Sequence, residues 1–170
     1  SQYIAMEYQS LLPAMEKPEH TEGYEGFIHL TDMEGCEETS TLRYIIRDHD
    51  MDKFLQKKQL MEAATAYLNN KYGEGTVVLT IRDSYYNMRE KIEPHMYIID
   101  RAKAAMEAVG ITPKIVPVRG GTDGARLSFM GLPCPNLCTG GENFHGRFEY
   151  IPIEDMEKVT QLLVQLMQAF

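Results

Sequence analysis

The sequence has no tryptophan, only three cysteines, and 17 Lys and Arg against 25 Asp and Glu, giving a formal net charge of −8. Each shortage excludes something. A surface this short of cations is not a general binder of nucleic acid or of anionic membrane. Cys36, Cys134 and Cys138 are an odd number without framework spacing, and the Cys134 to Cys138 interval is proline-bearing chain rather than a tight metal knuckle. They read as buried thiols in a reduced, cytoplasmic compartment. No run of about 18 apolar residues occurs, and the opening Ser-Gln-Tyr-Ile has neither the basic region nor the apolar core of a signal peptide. An initiator methionine is also missing, and the apolar pattern starts at once, as expected of a piece of a longer protein.

What is present is enough for a real core: 170 residues, 44% of them hydrophobic, suit one domain or two small units. Apolar spacing predicts a helix over 2–12, closed by Pro13 and Pro18. Residues 26–33 alternate, residues 40–48 are β-branched and aromatic, and 34–38 are turn-like, so the three form a β-hairpin. Asp50 or Asp52 caps a helix that runs to Tyr72 and stops at Gly73-Glu74-Gly75. Residues 76–83 read as a further strand. Helix, strand, strand, helix, strand is a ferredoxin-like α/β sandwich whose first strand is absent, which leaves a gap inside the sheet.

Residues 84–89 form a polar, aromatic crossing segment and the candidate boundary between residues 1–83 and 84–170. Beyond it, the pattern predicts a helix from Pro94 to Gly110, a strand over 114–118, a short helix over 125–130, a strand over 134–138 and a terminal helix over 153–170. Strand, loop, helix, strand, loop, helix is parallel α/β architecture, in which ligands sit at the carboxyl ends of strands.

Two glycine-rich loops follow those strands, Arg119-Gly-Gly-Thr-Asp-Gly and Thr139-Gly-Gly-Glu-Asn-Phe-His-Gly. Glycine pairs there allow tight turns and close approach to a ligand. In the first, backbone N–H groups, the Thr122 hydroxyl and the Arg119 guanidinium can converge on a carboxylate or phosphate. The competing account is a plain turn in which Thr122 or Asp123 caps the next helix. It is not a Walker loop, because no Gly-Lys-Ser/Thr follows, and it lacks the glycine spacing of a dinucleotide fingerprint. In the second loop His145, flanked by small residues, suits a metal ligand or general base, and equally a plain surface or satisfied core histidine. Arg47 ends a strand ahead of Asp48, His49 and Asp50, a cluster that solvation alone explains. His20 and His29 have no ligand spacing with any neighbour.

Glu22-Gly-Tyr-Glu-Gly-Phe, Tyr44-Ile-Ile-Arg-Asp, Asp83-Ser-Tyr-Tyr-Asn-Met-Arg-Glu-Lys, Arg119-Gly-Gly-Thr-Asp-Gly-Ala, Leu127-Ser-Phe-Met-Gly-Leu-Pro-Cys-Pro-Asn-Leu and Thr139-Gly-Gly-x-Asn-x-His-Gly carry a resemblance over nearly the whole chain. Together they resemble the peptidase T group, the tripeptide aminopeptidases of the two-zinc co-catalytic metallopeptidases. The resemblance implies that 1–83 is a lid, or dimerisation, domain incomplete at its N-terminus, and that 84–170 is the C-terminal segment of a catalytic domain. It implies zinc as cofactor with His145 as one ligand, a tripeptide as substrate, and Arg47, Arg119, Gly121, Thr122 and Asn143 as substrate-binding residues, the first anchoring a carboxylate.

In that family the remaining metal ligands and the general-base glutamate precede the point where this chain starts, so no catalytic residue is expected within it. One histidine does not hold a catalytic zinc, which needs about three protein ligands. The chain alone is therefore expected to be inactive, and its exposed sheet edges favour self-association. The alternative is a non-catalytic dimerisation or binding module derived from a peptidase lid.

Overall fold

A computed structural model describes residues 1–168 and divides into two compact units, Ser1–Ser84 with Pro117–Arg119, and Tyr85–Val116 with the residues from Gly120 onward. The fold is mixed α/β. The first unit runs α1 (Gln2–Leu11), β1 (Phe27–Gly35), β2 (Ser40–Arg47) and α2 (Met51–Tyr72). β1 and β2 pair antiparallel, with a register shift between Leu30 and Asp32, and Cys36 N–H closes the turn on Thr39 O at 2.7 Å.

Sequence chemistry explains these elements. In α2 the buried residues Lys57, Met61, Ala64 and Leu68 are spaced four, three and four apart, one stripe of a helix. Asp50 caps it by accepting Lys53 N–H at 3.0 Å, and Gly73, at φ 111°, ends it in a conformation that other residues rarely adopt. Tyr8 from α1, Leu12 just beyond its end, Ile28 from β1 and Met61, Ala64 and Leu68 from α2 make one core. The Tyr8 hydroxyl, buried with its ring, donates to Met61 O at 3.0 Å. Burial raises the Tyr8 hydroxyl above its ordinary value and pushes that of Tyr44 up to about 12.

The second unit runs α3 (Arg89–Ile92), α4 (Tyr97–Ala108), α5 (Asp123–Phe129) and α6 (Ile153–Gln168). α4 packs on α6 through small residues, with Ala102, Ala105 and the fully buried Leu162 inside. Two sequence expectations shift here. Pro94 lies in a 3-10 turn, Glu93–His95, ahead of α4 instead of opening it, and α3 is an unforeseen helical turn. Residues 169 and 170 of the expected terminal helix lie outside the described residues.

The larger correction concerns strands. The expected strands over 76–83, 114–118 and 134–138 take no part in any ladder among the described residues, whose one sheet has two strands. Strand propensity alone does not hold a strand; a neighbour must take up its backbone groups. In a β-α-β-β-α-β unit the last strand borders the first, so without the first strand residues 76–83 have no neighbour. Val77 and Leu79 still pack on the shared core, and the Asn69 amide bonds both backbone groups of Val77, accepting its N–H at 2.8 Å and donating to its C=O at 3.0 Å. In the second unit Ile115 and Val116 are 66% and 55% exposed, an apolar segment that joins no ladder among the described residues.

Asn69→Ala is expected to cost about 1–2 kcal/mol of stability, two neutral hydrogen bonds, and to abolish protection of the Val77 amide in hydrogen exchange. A second test uses alkali. Because the raised Tyr44 hydroxyl favours the protonated form in the fold, its contribution is complete below the unfolded value of 10 and is lost as pH rises toward about 12. Denaturant midpoints across that window should fall less steeply in Tyr44→Phe than in the wild type.

Candidate functional site

Arg47 is the last residue of β2, and its cross-strand partner is Phe27, the first of β1. Directly paired residues project to one face of a sheet. The guanidinium of Arg119 lies 5.0 Å from the Phe27 ring centroid and donates to both the backbone carbonyl and the hydroxyl of Thr21. Its Nε is buried and has no hydrogen-bond partner among the described residues. His29, two residues along the same face of β1, meets Phe27 edge-on at 6.5 Å. Phe27 thus pairs with Arg47 across the hairpin and carries the Arg119 guanidinium over its ring, so two of the expected substrate-binding residues neighbour one phenylalanine. Guanidinium groups of this kind are suited to carboxylates.

In the first glycine loop Thr122 caps the following helix. Thr122 Oγ1 accepts Ala125 N–H at 3.3 Å and the Asn136 amide at 3.2 Å, so Thr122, not Asp123, starts α5. With its lone pairs so occupied, the hydroxyl keeps its proton as a donor. Gly121 lies just before it and is exposed. The next turns are fixed from inside: buried Ser128 donates to Gly124 O at 2.7 Å and accepts Cys134 N–H at 3.0 Å. A Cβ on Gly124 would lie 2.4 Å from Cys134 O, so only glycine fits there.

The second loop is closed by an isolated bridge between Glu142 and Tyr150. Within it Asn143 and His145 both have positive φ, 55° and 62°, and are the two non-glycine residues so placed among those described. Such backbone strain persists where surroundings enforce it. Here Gly146 N–H bonds to Asn143 O at 2.9 Å and His145 N–H to Glu149 Oε2 at 3.0 Å. His145 is exposed, with its imidazole carried on a tied loop.

No group of three or more His, Cys, Asp or Glu suited to a metal ion exists among the described residues. The described side chains therefore do not fit a complete zinc site. No described helix is long and apolar enough to cross a membrane. Thr21 and Asn136 escaped sequence reasoning, and the thiols expected to be buried are not: Cys36 and Cys138 are exposed and Cys134 is half-buried. Arg119 and Thr21 are 98 positions apart, and no local pattern announces such a contact.

Residues 16–169 match the model of peptidase family M20/M25/M40. Peptidase T of Alkaliphilus oremlandii is 56% identical over 170 residues, covering all of this chain and 42% of that protein. Peptidase T of Bacillus subtilis is 54% identical over 167 residues, 98% of this chain and 41% of that protein. The chain thus spans about two fifths of the length of the relatives it matches. A crystal structure of a tripeptidase from Staphylococcus aureus superposes with a TM-score of 0.73 at 18% identity, covering 99% of this chain and 44% of that one. Aminopeptidase PepT of Bacillus cereus gives 0.62 at 18%, covering 98% and 44%. At that identity the structures speak for the fold, whereas the sequence match over most of the chain places it by descent: the chain belongs to peptidase family M20/M25/M40.

Proposed function

We propose that the complete protein is a zinc-dependent aminopeptidase that removes the N-terminal residue from tripeptides. Residues 1–83 serve as its lid, or dimerisation, domain and residues 84–170 as the last part of its catalytic domain. The observation that carries this reading is the neighbourhood of Phe27, which pairs with Arg47 across the hairpin and has the Arg119 guanidinium over its ring. A tripeptide's terminal carboxylate lies two residues beyond the bond to be cut, about 7 Å along an extended chain. A receptor for that carboxylate at a fixed place measures substrate length, accepting three residues and leaving shorter or longer peptides misregistered.

The other residues have parts in the same reading. Gly121 lets the substrate backbone approach, the Thr122 hydroxyl donates its free proton, and the Asn143 amide supplies a hydrogen-bonding group. His145 is one zinc ligand; the others, with the general base, come from residues outside this chain. Zinc supplies Lewis-acid activation of water in such enzymes. The chain alone is inactive. The outer edge of β1, which no other described strand covers, supports self-association, and a cytoplasmic location accords with this activity.

Arg47→Ala in the complete protein is expected to raise KM for tripeptides about ten- to a hundredfold, the loss of one charge-assisted contact, with little change in kcat. An unchanged KM removes the anchoring role. His145→Ala is expected to lower the zinc content by one ion per protomer, read by elemental analysis; full retention refutes its assignment as a ligand.

A further inference from the structure

We propose that Lys57 is a positioning residue for Arg47, acting through a buried ion pair with Asp48. This deepens the reading above and rests on Arg47 being the carboxylate anchor. β2 ends at Arg47, which pairs with Phe27 in the ladder, and the grip on the residue after it sets where the strand's end lies. The Asp48 side chain is only 1% exposed; it accepts Lys57 Nζ at 2.9 Å and Asp50 N–H at 3.0 Å. It also lies against Gly26, where a Cβ would come within 2.0 Å of its Oδ2, so the position facing it admits no side chain.

Lys57 belongs to the core-facing stripe of α2 and is 9% exposed, a place where an apolar side chain is the ordinary choice. Its Nζ also lies 3.0 Å from Glu16 Oε2, and Glu16 O accepts Ile28 N–H of β1 at 2.7 Å. Burial pulls the ammonium down, but its bonds to Asp48 and Glu16 outweigh this and hold it above its ordinary value. One cation thus ties the end of β2, the entry to β1 and the first turns of α2. A buried pair of this kind adds little to stability compared with apolar packing, and its attested use is to fix geometry. What it fixes here is the backbone that carries Arg47, opposite Phe27 and the stacked Arg119.

The test uses the full-length protein, with one tripeptide and the same tripeptide as its C-terminal amide. Arg47→Ala, Lys57→Met and the double variant Asp48→Asn with Lys57→Met are compared; the double variant leaves neither member of the pair as an unpaired charge and keeps the assay possible if Lys57→Met fails to fold. The double variant, folded by calorimetry, is expected to raise KM for the acid about tenfold with kcat within about twofold and KM for the amide unchanged. A variant with a lowered Tm but the wild-type preference for acid over amide shows a merely structural pair and overturns the proposal. If Arg47→Ala loses that preference while the double variant keeps it, only the positioning role falls. If Arg47→Ala keeps it, the anchoring reading itself falls, and this inference with it.

Discussion

The hydroxyl of Tyr8, donating to the carbonyl of Met61, is the bond on which the first unit is assembled. It joins α1 to the middle of α2 at a point where Thr65 Oγ1 also bonds, and the Tyr8 ring lies 6.2 Å from that of Tyr44 on β2. A tyrosine is suited to this position because its ring fills the core while its polar tip finds a partner there. The surrounding contacts follow from that placement: Tyr44 reaches Gln9 at 2.7 Å, and Glu7, one residue before Tyr8, takes both Lys71 and Tyr72 at 2.6 Å. Those two bonds hold the Glu7 carboxyl below the usual carboxylate range. Helix, hairpin and helix thus form one body without the sheet being complete.

That body was legible from sequence because its signals are local. The four-three-four spacing from Lys57 to Leu68, the Asp50 cap, the Gly73 stop and the alternation in β1 each act over a few residues. The failures share one physical cause. A strand is a relation between two segments, and the apolar runs at 76–83, 114–118 and 134–138 announce only one member of each relation. Their composition is strand-forming, but without partners they join no ladder among the described residues.

The candidate site divides in the same way. Glycine pairs pointed to the two loops, and the Thr122 cap and the tied loop around His145 lie where short-range patterns placed them. The stacking of Arg119 on Phe27 and its bonds to Thr21 were not legible, since they join segments far apart in sequence. Nor does a charge cluster such as Arg47-Asp48-His49-Asp50 disclose that one of its members is almost completely buried. Charge in a sequence suggests solvent, and only the packed Gly26 beside Asp48 reveals otherwise.

The amide of Asn69 has a consequence for the open side of the first unit. A primary amide presents a donor nitrogen beside an acceptor oxygen, much as a facing strand presents N–H and C=O, and it meets both backbone groups of Val77. In extended chain the N–H and C=O of one residue point to the same side, and those of the next residue to the other. A side chain has therefore already set the phase of this segment. Any strand added there meets the peptide groups of Val78 and Thr80, and a frame displaced by one residue competes with Asn69 for Val77.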